Sequence, residues 1–211
     1  MTSGLVLLLL SGASAAARGQ TGPPPGSGLA ARTQMHLSSD AGSASDNYWR
    51  RIAIGFGISL FAHESAHVLT SLALGFHPHI ALDHGRPTVF SGIDSQKYPH
   101  KQFLFSGAGL TTQDLINEAI LDIPHSRGGA IERGILAGAI GTTLFYVTIG
   151  RNGSVSDIAF MARTSSLSKT QLSLIFGGVS AIQALRISRD SSYAHFFVRP
   201  TENGLGIGFG Y

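Results

Sequence analysis

The chain of 211 residues has no cysteine, one tryptophan and little charge. Without cysteine there is neither a disulfide framework nor a thiolate-held metal, so any metal must be bound by imidazole and carboxylate. Asp, Glu, Lys and Arg make up 13% of the residues, against about a quarter in soluble domains, while 43% are hydrophobic. Such a shortage of charge points to lipid. The 15 Lys and Arg leave a formal net charge of only +3 and form no basic stripe interleaved with aromatics, which excludes a nucleic-acid partner. Nothing in the composition sets an oligomeric state.

What the chain does have is His63-Glu64-Ser65-Ala66-His67, set inside an apolar stretch. A helix repeats every ~3.6 residues, so the two histidines share one face and can ligate one metal ion, with Glu64 on the same turn as a general base. At this His and Glu content only about 0.007 matches to HExxH are expected by chance. Three ionisable groups within one and a half turns of an apolar helix cost several kcal/mol unless paired, hydrated or bound to metal. The pattern predicts a zinc site in a water-filled cavity, against the plainer reading of a polar interhelical network. Catalytic zinc takes three protein ligands. The candidates for the third are His77, His79, Asp83 and His84 just downstream, and Asp114, Glu118, Asp122 and Asp157 further on.

Residues 1–20 contain the apolar run Leu5–Leu10 followed by Ala13-Ser14-Ala15, the pattern of a short signal peptide, and 21–48 read as a flexible Gly/Pro/Ser-rich linker. From 49 to 190 four apolar segments follow: Ile52 to about Phe76, Phe103 to about Ile123, Ala130 to Ile149 and Leu172 to Ile187. His77 to Gln102, with three prolines and short Val/Ile/Phe runs, reads as a loop or small β-excursion. Asn152-Gly153 marks a turn, with Ser154 or Ser156 as a helix cap. The tail, 191–211, reads as two strands around a turn. The predicted fold is all-α: a multi-pass membrane helix bundle of about four spans, with a disordered N-terminal leader and a short β-hairpin-like C-terminal tail. Arg50-Arg51 argues for a cytoplasmic N-side, whereas a cleaved signal would place that side outside.

The stretch Phe61 to Leu69, continuing to Leu74-Gly75-Phe76, resembles the first motif segment of the site-2-protease class of intramembrane zinc metalloproteases. Ala66 before the second histidine and Gly75 closing the helix fit that class. Ser106-Gly107-Ala108-Gly109-Leu110-Thr111-Thr112-Gln113 is similar to its A-G-P-x-x-N segment, with Leu110 in place of the Pro and Gln113 at the Asn position. The class takes its third ligand from an Asp, usually in an L-D-G context. Asp157 suits that place by its separation, although its surroundings read Val155-Ser156-Asp157-Ile158, and Asp114 is the next choice. The resemblance covers roughly residues 52–160. It implies Zn²⁺ held by His63, His67 and Asp157, Glu64 as general base, and Gln113 holding the substrate or polarising the scissile carbonyl, with Asn117 as its rival. It further implies an endopeptidase of the inner (cytoplasmic) membrane, acting on the transmembrane helices of other membrane proteins and in contact with lipid.

Overall fold

The computed structural model describes residues 28–83, 85–153, 155–193, 199–201 and 204–206, with side chains between 46 and 193 except at 86 and 87. The signal-peptide reading of 1–20 lies outside the described residues. The unit Met1–Ala44 contributes helical backbone from Gly28, and the unit Ser45–Tyr211 carries all the side-chain packing described below.

Helix α1 spans Gly28–Ala73. The linker expected over 21–48 is therefore corrected from Gly28 onward, while 21–27 lie outside the described residues. No proline occurs between Pro25 and Pro78 to break the helix. It stops at a Schellman turn, in which Gly75 takes φ +82°, its N–H reaches the Leu72 carbonyl and the Phe76 N–H reaches the Ser71 carbonyl, both at 3.0 Å. The strands β1 (His79–Asp83) and β2 (Arg86–Phe90) then form an antiparallel hairpin with His79 opposite Phe90, and Gly85 at φ +80° lies in its turn. This hairpin is the small β-excursion expected between His77 and Gln102, where the proline-punctuated connection pairs its short apolar runs, and it sits in an otherwise mostly helical chain. Next come α2 (Pro99–Asp122), with proline in its first turn, and α3 (Ala130–Val147), whose Glu132 accepts the N–H groups of Gly128 and Gly129. A 3₁₀ turn at Gly150–Asn152 leads to α4 (Asp157–Arg163), capped by Ser156, and α5 (Lys169–Arg189) opens on a Ser168/Gln171 capping box. Strands β3 (Arg199–Thr201) and β4 (Gly204–Gly206) pair in the C-terminal hairpin.

Two helical stretches, Asp46–Ala73 and Ala130–Val147, are long and apolar enough to cross a membrane, and only 28% and 39% of their most apolar windows are buried. Among the described residues these two helices pass on length and composition, where four apolar segments were expected. Helices α2 and α5 stand where spans two and four were expected, but they carry Gln, Asn, Asp, Glu and Arg that hydrogen-bond between them. Helices α1 and α3 touch through glycine. A Cβ on Gly55 would lie 1.9 Å from the Ile131 carbonyl oxygen, and one on Gly134 would lie 2.1 Å from that of Ile52. Gly134 and Gly138 form a GxxxG stripe, the small-residue packing that holds helices together where lipid removes the hydrophobic drive. One core cluster joins Leu121, Leu136, Ile140, Ile187 and Tyr193; a second, of Leu110, Ile158, Met161 and Leu172, wedges α4 between α2 and α5.

Candidate metal centre

The wedge is what brings Asp157 to the histidines. Ser156 caps α4, its hydroxyl accepting from the Ala159 N–H, and buried Ile158 and Met161 fix the helix so that its first residue faces α1. His63 and His67 are 2% and 4% exposed. Their Nε2 atoms lie 3.2 Å apart, and Asp157 Oδ2 lies 3.2 Å from His63 Nε2 and 3.4 Å from His67 Nε2. Among the described residues these three are the one group of His, Asp or Glu side chains whose ligand atoms converge.

The remaining ring nitrogens decide what that triangle is. His67 Nδ1 sits 2.7 Å from the Phe105 carbonyl, which only accepts, so this nitrogen carries a proton. Gln113 donates its amide N–H groups to the Ser59 carbonyl (3.2 Å) and hydroxyl (2.9 Å), which turns Oε1 toward His63 Nδ1 at 2.9 Å. His63 Nδ1 is therefore a donor too. In the neutral imidazoles both Nε2 atoms then present lone pairs, and they face each other and a carboxylate oxygen. That oxygen is buried and makes no hydrogen bond. Three acceptors aimed at one another are repulsive without a cation between them, and a proton satisfies only one edge of the triangle. Ligands about 2.0–2.2 Å from one tetrahedral zinc stand about 3.3–3.6 Å apart, close to the spacings observed. The donor set of two imidazoles and one carboxylate fits zinc.

Glu64 is exposed, and it lines a cavity of about 370 Å³ together with His67, Asp157, Phe105, Tyr146, the β2 residues Thr88–Phe90 and the following Ser91 and Gly92. Four residues fasten the hairpin over this cavity. Ser71 donates to the Ser91 carbonyl (2.6 Å), Ser91 donates to Gln102 (2.7 Å), and Gln102 donates to Ser106 (3.1 Å).

Gln113, expected to hold the substrate or polarise the scissile carbonyl, is fully buried with both ends of its amide engaged, its oxygen on His63 Nδ1. Asn117 also turns away, donating to Gln183 on α5. Asp114, Glu118 and Asp122 stay outside the triangle: Gln183 takes the Asp114 carbonyl, and Arg186 pairs with Glu118 and Asp122. His79 lines the cavity, stacked on Phe90 at 5.3 Å. His77, His79, Asp83 and His100 join no converging group, and His84 lies outside the described residues.

Sequence reasoning missed Gly109, Tyr146 and Ser59. Gly109 has no side chain because the two imidazoles occupy its place; a Cβ there would lie 2.5 Å from His63. The Gly107-Ala108-Gly109 run was its only signal. Tyr146 stacks on His63 at 5.6 Å and 11°, and a polar-tipped aromatic in an apolar run gives no hint of that. No protein-family model, curated protein or solved structure matches the chain, so the reading of this centre rests on its own residues.

Proposed function

We propose that the chain is a zinc-dependent intramembrane endopeptidase, similar to the site-2 proteases, that cleaves transmembrane segments of membrane proteins. The observation that carries this reading is the convergence of His63, His67 and Asp157 on one buried point beside a cavity that Glu64 lines. Zinc held by these three supplies a Lewis acid and makes water there more acidic. Glu64 takes the proton of the attacking water and passes it to the leaving amine. Gln113 and the Phe105 carbonyl keep the protons of His63 and His67 on Nδ1, which fixes each ring as a ligand.

A substrate helix hides its carbonyls in its own hydrogen bonds and must unwind to be cut. Among the described residues strand β2 pairs only with β1, and its residues Thr88–Phe90 border the cavity. Its other edge is suited to pair with an extended peptide. Two apolar helices and a surface that exposes Phe61, Leu69, Leu115 and Leu174 at 65–75% support contact with lipid, and on this reading the chain is multi-pass in the cytoplasmic membrane.

The test is elemental analysis of detergent-purified protein beside cleavage of a membrane-embedded reporter helix, for wild type, Asp157→Ala and Glu64→Gln. About one zinc per chain in wild type and Glu64→Gln, none in Asp157→Ala, and cleavage by wild type alone is the expected outcome. Zinc binding with no dependence of activity on Glu64 would make this a non-catalytic metal-binding membrane protein. Wild type without zinc overturns the reading altogether.

A further inference from the structure

Gln113 donates its amide hydrogens to Ser59, so a donor for the carbonyl of a bound peptide has to come from elsewhere on the cavity wall. The face of α2 that meets the histidines carries Gln102, Ser106, Gly109 and Gln113, at steps of four, three and four residues. Gly109 marks where that face touches the metal centre, since its Cβ would fall 2.6 Å from His67 Nε2. At 1.5 Å of rise per residue, Ser106 stands about 4.5 Å along the axis from Gly109. It follows Phe105, whose carbonyl accepts from His67 Nδ1. Ser106 is 1% exposed and still lines the cavity with Glu64 and Asp157, as His67 does at 4%, so both stand at its buried inner end.

The hydrogen bonds that arrive at Ser106 run in one direction. Ser91, just after β2, accepts the Ile93 N–H at 3.0 Å and donates to Gln102 Oε1 at 2.7 Å. That turns Gln102 Nε2 toward Ser106 Oγ, to which it donates at 3.1 Å. The Ser106 oxygen is thus an acceptor, and its own hydrogen is left to give. Hydroxyls in helices often return that hydrogen to a carbonyl one turn back, as Thr142 does to Gly138 and Ser188 to Leu185. Ser106 makes no such bond among the described residues. Accepting from an amide also makes it a stronger donor, because each bond in a chain polarises the next. We propose that Ser106 Oγ–H donates to the carbonyl oxygen of the peptide bond to be cut, and that Ser91 and Gln102 are positioning residues that aim it. This rests on the endopeptidase reading. As the carbonyl carbon becomes tetrahedral its oxygen gains negative charge, and a fixed donor stabilises that charge more than it stabilises the ground state. The hydroxyl proton stays on Ser106 throughout, while Glu64 moves the proton from water to the leaving amine. One chain of bonds then sets both the strand edge that seats the peptide and the donor that meets its carbonyl.

Steady-state cleavage of a membrane-embedded reporter helix by the detergent-purified full chain tests this, with zinc measured on the same samples. Ser106→Ala is expected to lower kcat by about 10²-fold, with KM within about twofold of wild type and zinc still about one per chain. Ser106→Thr, which keeps the hydroxyl, is expected to recover most of that loss. The paired change Gln102→Leu with Ser106→Ala leaves no unmet amide donor and carries the same expectation where the single change does not fold. A second readout needs no turnover: the infrared stretch of a ¹³C-labelled scissile carbonyl bound to Glu64→Gln moves to higher frequency when Ser106→Ala is added. Gln102→Leu, which releases the hydroxyl without removing it, falls between the two in kcat and in carbonyl frequency. An unchanged kcat in Ser106→Ala overturns the proposal, and so does a loss confined to KM or accompanied by loss of zinc. If wild type leaves the reporter uncut, or Glu64→Gln cuts it as well, the endopeptidase reading fails and the role of Ser106 falls with it.

Discussion

Gly109 and His63 share one space: a Cβ on the glycine would stand 2.5 Å from His63 Nε2, and 2.6 Å from His67 Nε2. The helix α2 backbone thus forms one wall of the metal centre. Alanine is the better helix former by about 1 kcal/mol, so helix propensity alone favours Gly109→Ala. The expected outcome is the reverse in function, with zinc per chain falling from about one to near zero while the far-ultraviolet dichroism is kept. Full zinc in this variant would mean that α2 can draw back from α1.

With metal bound as proposed, Gln113 would act on it through His63. Gln113→Leu removes the acceptor for His63 Nδ1–H and releases the tautomer, and outer partners of this kind are worth about 10–100-fold in metal affinity. Competition against a zinc chelator is expected to show a loss in that range. Ser59→Ala, which removes one of the two Ser59 acceptors holding the amide, should cost less. An unchanged affinity in Gln113→Leu would leave the glutamine a packing residue.

The α1–α3 contact tolerates no added atom. Gly134→Val places two methyl groups where Cβ alone would be 2.1 Å from the Ile52 carbonyl oxygen. Overpacking of well-filled sites costs about 1–3 kcal/mol and sometimes more, and here backbone must move. Unfolding in mixed detergent should register a loss at or above that range, whereas Gly57→Val, which meets nothing within 4 Å, should stay within about 0.5 kcal/mol of wild type.

His125 gives the connection between α2 and α3 a pH dependence. Its Nδ1 faces the Ile123 carbonyl at 2.7 Å and its Nε2 faces Glu132 at 2.5 Å. Both partners only accept, so the doubly protonated ring is favoured and its pKa is raised, first by the carbonyl and then by the carboxylate. A raised folded pKa means stability that is fully present below the ordinary value of about 6.5 and lost as pH climbs through the folded one. The thermal midpoint of wild type relative to His125→Gln should therefore shrink between pH 6 and pH 8. A constant difference would show that the ring does not titrate into this contact.

Much of the centre was readable because its chemistry is periodic. His63 and His67 are one helical turn apart, and no tertiary information is needed to set them side by side. Placing Asp157 beside the histidines required the resemblance, since nothing in Val155-Ser156-Asp157-Ile158 distinguishes it from an ordinary first-turn carboxylate, and it does stand in the first turn of α4. Gln113 was legible as a neighbour of the histidine pair, but not its orientation. The sequence position says that an amide stands near His63, but only the donors taken by Ser59 reveal which way it points. The β1–β2 hairpin was visible in its prolines and short apolar runs. The inward-facing polar residues of α2 and α5 hid their burial, because Asn117 donates to Gln183 across helices far apart in the chain.

Asp157 rides on α4, so the three ligands come from two stretches of chain with α2 and α3 between them. Contacts of such sequence separation close late, after the local helices have formed, and the entropy of closing the loop rises with its length. A growing chain that has emerged only as far as α3 carries both histidines and Glu64 but lacks the carboxylate that completes the triangle. On the proposed function, the order of synthesis would itself keep the centre from assembling before the bundle that encloses it.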